Sequence, residues 1–166
     1  MEHLYAPWRS AYFIQDLKGC VFCHIADTPE KDDDLGVLFR DTHCFGVMNR
    51  FPYTPGHFMI IPYGHSDSLE ELDQATWEQI SNHVRSGVKM LKEVLQVKGV
   101  NIGMNLGKCA GAGIAEHVHY HLVPRWERDT NFITTIADTR VTGVPFEDIY
   151  QKLKRASLDY FRVCFT

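Results

Sequence analysis

The stretch from Glu116 to Arg125 reads EHVHYHLVPR, with histidine at 117, 119 and 121 and an apolar or aromatic residue at each position between. Strict alternation of this kind is the signature of a half-buried strand, because successive side chains on a strand point to opposite faces. His117, His119 and His121 are then expected along one face at roughly 7 Å spacing, with Val118, Tyr120 and Leu122 on the other. Three neutral imidazoles buried side by side against hydrocarbon would leave ring donors and acceptors unpaired. Something polar is therefore expected over that face.

The remaining pattern supplies the rest of a sheet. VLFRD (37 to 41), HCFGVMNR (43 to 50) and HFMIIP (57 to 62) are β-like runs joined by turn residues, which predicts an antiparallel meander. Between Ala75 and Gln96, Trp77, Ile80, Val84, Val88, Leu91 and Leu95 recur at intervals of three and four, the stripe of an amphipathic helix. Ser68 and Asp73 are candidate N-caps. Two more strands are expected at 100 to 106 and 117 to 126, and a second helix over 145 to 161 with Pro145 near its start, where proline is tolerated. The acidic, proline-preceded run EKDDD at 30 to 34 reads as a solvated loop. The predicted class is α+β: a five-stranded antiparallel sheet with one long helix and a C-terminal helix. All 166 residues are expected in one domain, with a core over about 18–127, an N-terminal arm and a C-terminal helical extension.

Composition narrows the function. A formal net charge of −4 disfavours a protein whose main partner is nucleic acid, which calls for a basic surface. No run of about 18 apolar residues is present to span a membrane, and MEHLYAPWRS lacks the charged-then-apolar layout of a signal peptide, so a soluble cytoplasmic protein is expected. Five cysteines, only two of them in a Cys-x-x-Cys pair, do not resemble a secreted disulfide framework.

Three motifs carry chemistry. Neutral imidazole is a nucleophile, and a histidine that attacks phosphorus forms a covalent intermediate, splitting one displacement into two easier ones. The pair in CVFC, Cys20 and Cys23, fits either a redox couple or half of a tetrahedral zinc site whose natural complement is histidine. The glycine-rich GKCAGAG at 107 to 113 is either a plain turn or a loop whose backbone N–H groups approach an anion, with Lys108 adding charge and Gly111 and Gly113 giving access. His43 and His83, standing alone, read as satisfied core histidines.

The run HVHYHLV fits His-φ-His-φ-His-φ-φ, with φ hydrophobic, and so resembles the histidine triad, or HIT, superfamily of nucleotide hydrolases and transferases. FGVMNRFPYTPGHFMIIP is similar to the family segment that reads roughly LVNRKPVVPGHVLV, and GMNLGKCAGAGIAEHVHYHLVPRWERDTNF resembles a bacterial branch of diadenosine tetraphosphate phosphorylases or hydrolases. The resemblance covers about residues 5 to 140 and implies a HIT-like fold. It implies cleavage of an adenine nucleotide or dinucleoside polyphosphate at the α-phosphorus, with His119 as the nucleophile. His121 is implied to contact the phosphate and assist the leaving group, Asn49 to bond the ribose, although an Asn before Arg-Phe-Pro also shapes turns, and Asn105 to lie near the phosphates. It further implies a structural zinc held by Cys20, Cys23, His65 and His117, and a homodimer. Trp8, Arg9 and Trp126 also match the branch, as base-pocket or dimer residues. Cys44, Cys109 and Cys164 read as singletons.

One departure stands out. Many superfamily members carry Gln or Ser three or four residues before the first histidine, where this chain has Ile114 and Gly113. Neither has a side-chain donor for the leaving group, so that role passes to backbone N–H groups, Lys108 or His121. Two competing expectations are a hydrolase of adenosine phosphoramidates and a zinc-stabilised module that binds nucleotides without turning them over.

Overall fold

The alternating and apolar runs form five short strands in the computed structural model, which describes residues 19–130, 134, 136 and 144–161. They are β1 (Val37–Arg40), β2 (Cys44–Met48), β3 (Phe58–Pro62), β4 (Gly99–Gly103) and β5 (Tyr120–Arg125). The sheet is antiparallel in the order β1-β2-β3-β5-β4, so the first three strands form the expected meander and β5 inserts between β3 and β4. Trp8, Arg9 and Cys164 lie outside the described residues. Among the described residues, no helix is long and apolar enough to cross a membrane.

The 22-residue helix α3 (Gln74–Leu95) starts where the sequence places it. The Asp73 carboxylate accepts from the Thr76 backbone N–H at 2.9 Å, satisfying one donor that the first turn leaves open. Ser68 sits at the N-cap of a short 3₁₀ turn, Leu69–Glu71, and makes no side-chain cap bond there. Ile80, Val84 and Leu91 are buried against the sheet, joined by Met90, while Trp77 at the end of the stripe keeps 38% exposure. The helix lies so close to the strands that a Cβ at Gly87 would stand 2.7 Å from both Leu122 and Phe58. A second helix, α4 (Phe146–Tyr160), covers β1 on the same side, where Ile149, Tyr150 and Leu153 enter this core.

A smaller core occupies the opposite face. There Phe22 and Ile25 from a six-residue helix, α1 (Val21–Ala26), pack on Val37, Phe45, Val47, Met59 and Ile61. His121 pairs with Met59, so it projects to this side.

Two expectations need correction. The acidic run is solvated as expected but is not a loop: a 3₁₀ turn, Pro29–Lys31, leads into the helical turn α2 (Asp32–Leu35), with Glu30, Lys31, Asp33 and Asp34 exposed. Asp32 accepts from two Arg40 nitrogens, Nε at 3.0 Å to both carboxylate oxygens and Nη2 at 2.7 Å, and Asp33 accepts from the Tyr150 hydroxyl at 3.0 Å. Partners from β1 and α4 thus tie down a segment whose composition alone suggests an irregular loop.

The histidine-bearing strand is also shorter than expected. Continuing the β3–β5 register would bring Val118 opposite Pro62, which has no N–H to give the ladder. The Val118 N–H bonds the Ser66 carbonyl instead, at 2.8 Å. Only His121 therefore lies within β5, and His117 and His119 sit on the approach to it.

Candidate active site and metal centre

Cys20, at the N-cap of α1, and Cys23, one turn on, face the segment that approaches β5. The ligating atoms of Cys20, Cys23, His65 and His117 all lie within 4.8 Å of one another. Cys20 Sγ is 3.4 Å from His117 Nδ1, and Cys23 Sγ is 3.2 Å from His65 Nδ1 and 3.7 Å from His117 Nδ1. With Zn–S near 2.3 Å and Zn–N near 2.0 Å, a tetrahedral ion would set sulfur and nitrogen about 3.5 Å apart. The donor set fits zinc in type and in spacing. His117 is also oriented for the task, because its Nε2 lies 3.0 Å from the Pro62 carbonyl. A proton donated there leaves the Nδ1 lone pair for a cation, the arrangement usual for metal-binding histidines. Without a cation, burial and the Cys20 thiol raise the Cys23 pKa.

His119 is 5% exposed and its Nδ1 lies 2.8 Å from the His117 carbonyl. A carbonyl only accepts, so Nδ1 holds the proton and Nε2 keeps its lone pair. Burial lowers the His119 pKa, which favours the neutral, nucleophilic ring. The same residue thus serves two neighbours: the His117 ring faces the thiols while its carbonyl fixes the tautomer of His119. Phe22 packs against both rings, at 5.6 and 5.0 Å between centroids.

His121 owes its state to a residue that sequence reasoning left without a role. Gly56, at φ 84°, turns the chain into His57, which is fully buried. The Tyr53 backbone N–H lies 3.2 Å from His57 Nδ1, so that nitrogen accepts and the ring proton must sit on Nε2. His57 Nε2 is 2.9 Å from His121 Nδ1 and donates to it. His121 in turn carries its proton on Nε2, as a donor. Burial, reinforced by the neighbouring imidazoles, holds His57 down at about 3 and His121 at about 4, so both are neutral at physiological pH. The signal for His57 was its place in YTPGHFMIIP, inside the family-like segment. A lone histidine before an apolar strand says nothing of its partners.

The expected nucleotide contacts divide. Asn49 lies beside the histidines, its Nδ2 3.5 Å from His57 Nε2, while its Oδ1 accepts from Phe51 N–H at 2.9 Å in a turn. Asn105 lies under the glycine loop, 3.9 Å from where a Cβ on Gly111 would be. In that loop the N–H groups of Ala110, Gly111 and Ala112 bond the carbonyls of Gly107 and Lys108. Those three amides turn inward, and Lys108 and Gly113 are exposed. His83, as expected of a core histidine, is buried and pairs with Asp41. Cys44 is fully buried and Cys109 is exposed.

Comparison with known proteins follows the same lines. The family model described as HIT domain matches residues 30–128. The AP-4-A phosphorylase of Mycobacterium tuberculosis is 38% identical over 149 residues, spanning 85% of this chain and 76% of that one. The crystal structure of a zinc-bound histidine triad family protein from Mycobacterium smegmatis superposes with a TM-score of 0.67 at 26% identity, covering 85% of this chain and 94% of that one. The diadenosine triphosphate hydrolase of Plasmodium falciparum shares the fold, with a TM-score of 0.62 at 21% identity, covering 78% of this chain and 81% of that one.

Proposed function

The chain belongs to the histidine triad family, and on that premise we propose that it cleaves dinucleoside polyphosphates at the α-phosphorus through a nucleotidyl intermediate on His119. The observation that carries the proposal is the pair of opposite tautomers: His119 offers a lone pair at Nε2 and His121 offers a proton at Nε2, each fixed through the other ring nitrogen. Attack by His119 Nε2 forms an N–P bond as the bond from phosphorus to the leaving oxygen breaks. The resulting phosphoimidazolium keeps its Nδ1 proton on the His117 carbonyl, whose negative end faces the new positive charge. The leaving polyphosphate is a weak base at neutral pH, so a hydrogen bond from His121 suffices and no side chain at 113 or 114 is needed to protonate it. In the second step an acceptor oxygen attacks the same phosphorus, the N–P bond breaks, and His119 returns to its neutral form.

The likeness to AP-4-A phosphorylase supports inorganic phosphate as that acceptor. Diadenosine tetraphosphate supplied with phosphate is expected to yield ADP and ATP, identified by mass. In phosphate-free buffer the products should be AMP and ATP, formed more slowly. Turnover of an adenosine phosphoramidate but not of diadenosine tetraphosphate would refute this assignment. Asn49 is assigned to the ribose, and Asn105 with Lys108 and Gly113 to the polyphosphate; the Gly111 N–H, bonded to the Lys108 carbonyl, is left out of that set.

Cys20, Cys23, His65 and His117 are assigned to a structural zinc, a reading supported by their spacing and by the zinc-bound relative. Bound there, the ion would supply charge to hold two thiolates and tie α1 to the segment carrying His119. The free thiols fit a reducing, cytoplasmic setting. A homodimer is assigned through β4, which ends the sheet with Ile102 51% exposed, an edge that calls for cover. Light scattering should therefore give twice the chain mass, and Ile102→Lys should shift it toward the monomer.

A further inference from the structure

Two aromatic rings flank the histidines at opposite ends, and they differ in what they cover. Phe22 touches His117 and His119 and is 2% exposed, so it belongs to the core. Tyr53 lies at the other end, 6.2 Å from His121, and 52% of it is open to solvent. Its ring stacks on His57 with centroids 4.9 Å apart and planes 20° from parallel.

That placement is held firmly. The Tyr53 backbone N–H bonds His57, the next residue's hydroxyl donates from Thr54 to the Pro124 carbonyl at 2.8 Å, and the His57 N–H closes the turn on the Thr54 carbonyl at 3.1 Å. An exposed ring fixed in advance is a low-cost surface for another flat ring, because little side-chain freedom is lost on contact. Base stacking on such platforms tolerates any base, since every base offers a π-face.

The geometry points to Tyr53 as the platform on which the base of the departing nucleotide stacks, making it a specificity-determining residue for substrates with a base at both ends of the polyphosphate. This rests on the proposed function: the retained nucleotide is bonded to His119, and the leaving part departs beside His121, the ring that Tyr53 adjoins. The polyphosphate between them is flexible enough to fold the second nucleoside back onto the exposed ring.

Diadenosine tetraphosphate and adenosine 5′-tetraphosphate give the same nucleotidyl intermediate and differ only in the leaving part, so the ratio of their kcat/KM values isolates the second nucleoside. In the native protein the ratio should favour the two-base substrate by roughly 5- to 150-fold, the range that one base stack supplies. Tyr53→Ala should bring it close to one, and Tyr53→Phe and Tyr53→Trp should preserve it. Melting temperature and zinc content serve as controls that the variants fold. A native ratio near one, an equal loss on both substrates in Tyr53→Ala, or a Tyr53→Phe variant that behaves like Tyr53→Ala would overturn the assignment. If the native protein turns over neither substrate, the proposed function fails, and the same ratio taken from calorimetric dissociation constants then decides the role of Tyr53 on its own.

Discussion

His119→Ala is expected to lower turnover of diadenosine tetraphosphate by about 10⁴-fold or more, the scale seen when a covalent nucleophile is removed from an otherwise intact site. The fold should survive, because His119 supports only one other buried group, the His117 carbonyl, and lies outside the larger core. Its proton goes to the His117 carbonyl, and its ring touches Phe22 and His121. Truncation leaves a small void beside Phe22 and a carbonyl short of one donor, a loss of about 1–3 kcal/mol. Nucleotide binding should persist, since the groups assigned to ribose and phosphate are untouched. The matching positive result is a native protein that, quenched during turnover, carries the mass of one AMP on the peptide containing residue 119. An adduct on another side chain, or a His119→Ala protein with substantial turnover, would remove the basis for the mechanism.

The second large effect concerns the thiols. Protein purified without added metal is expected to carry close to one zinc per chain by elemental analysis. Cys20→Ser with Cys23→Ser should carry none and lose several kcal/mol of stability, a fall in melting temperature of about 10 °C or more. Replacement with serine keeps the shape and removes the soft thiolate donors, so the loss reports on the ion and not on packing. The damage should be greatest around residues 117–119. There the His117 ring faces both thiols, and its carbonyl and the Val118 N–H are bonded to His119 and Ser66. Faster amide exchange in that segment, with exchange in α3 unchanged, would mark the metal as the support of the nucleophile. Full occupancy of zinc in the double variant would contradict the assigned ligands.

The sequence carried much of this. Alternation marked His117, His119 and His121, their spacing matched a known nucleotide-cleaving pattern, and Cys-x-x-Cys announced a pair of thiols in need of partners. Period and spacing are local properties, and the strands, the long helix and its Asp73 cap are written in them. The helical form of the exposed acidic run at 30 to 34 was missed for the same reason. Its order depends on Arg40 and Tyr150, and the latter is 117 residues away from Asp33.

What only the folded chain decides is where the protons are. The tautomer of His121 follows from His57, 64 residues distant, and that of His57 from a backbone N–H brought round by the Gly56 turn. The strand's early end follows from the missing N–H of Pro62 across the sheet. Hydrogen-bond direction is settled by which group each ring nitrogen meets in space, and no pattern along the chain encodes that meeting.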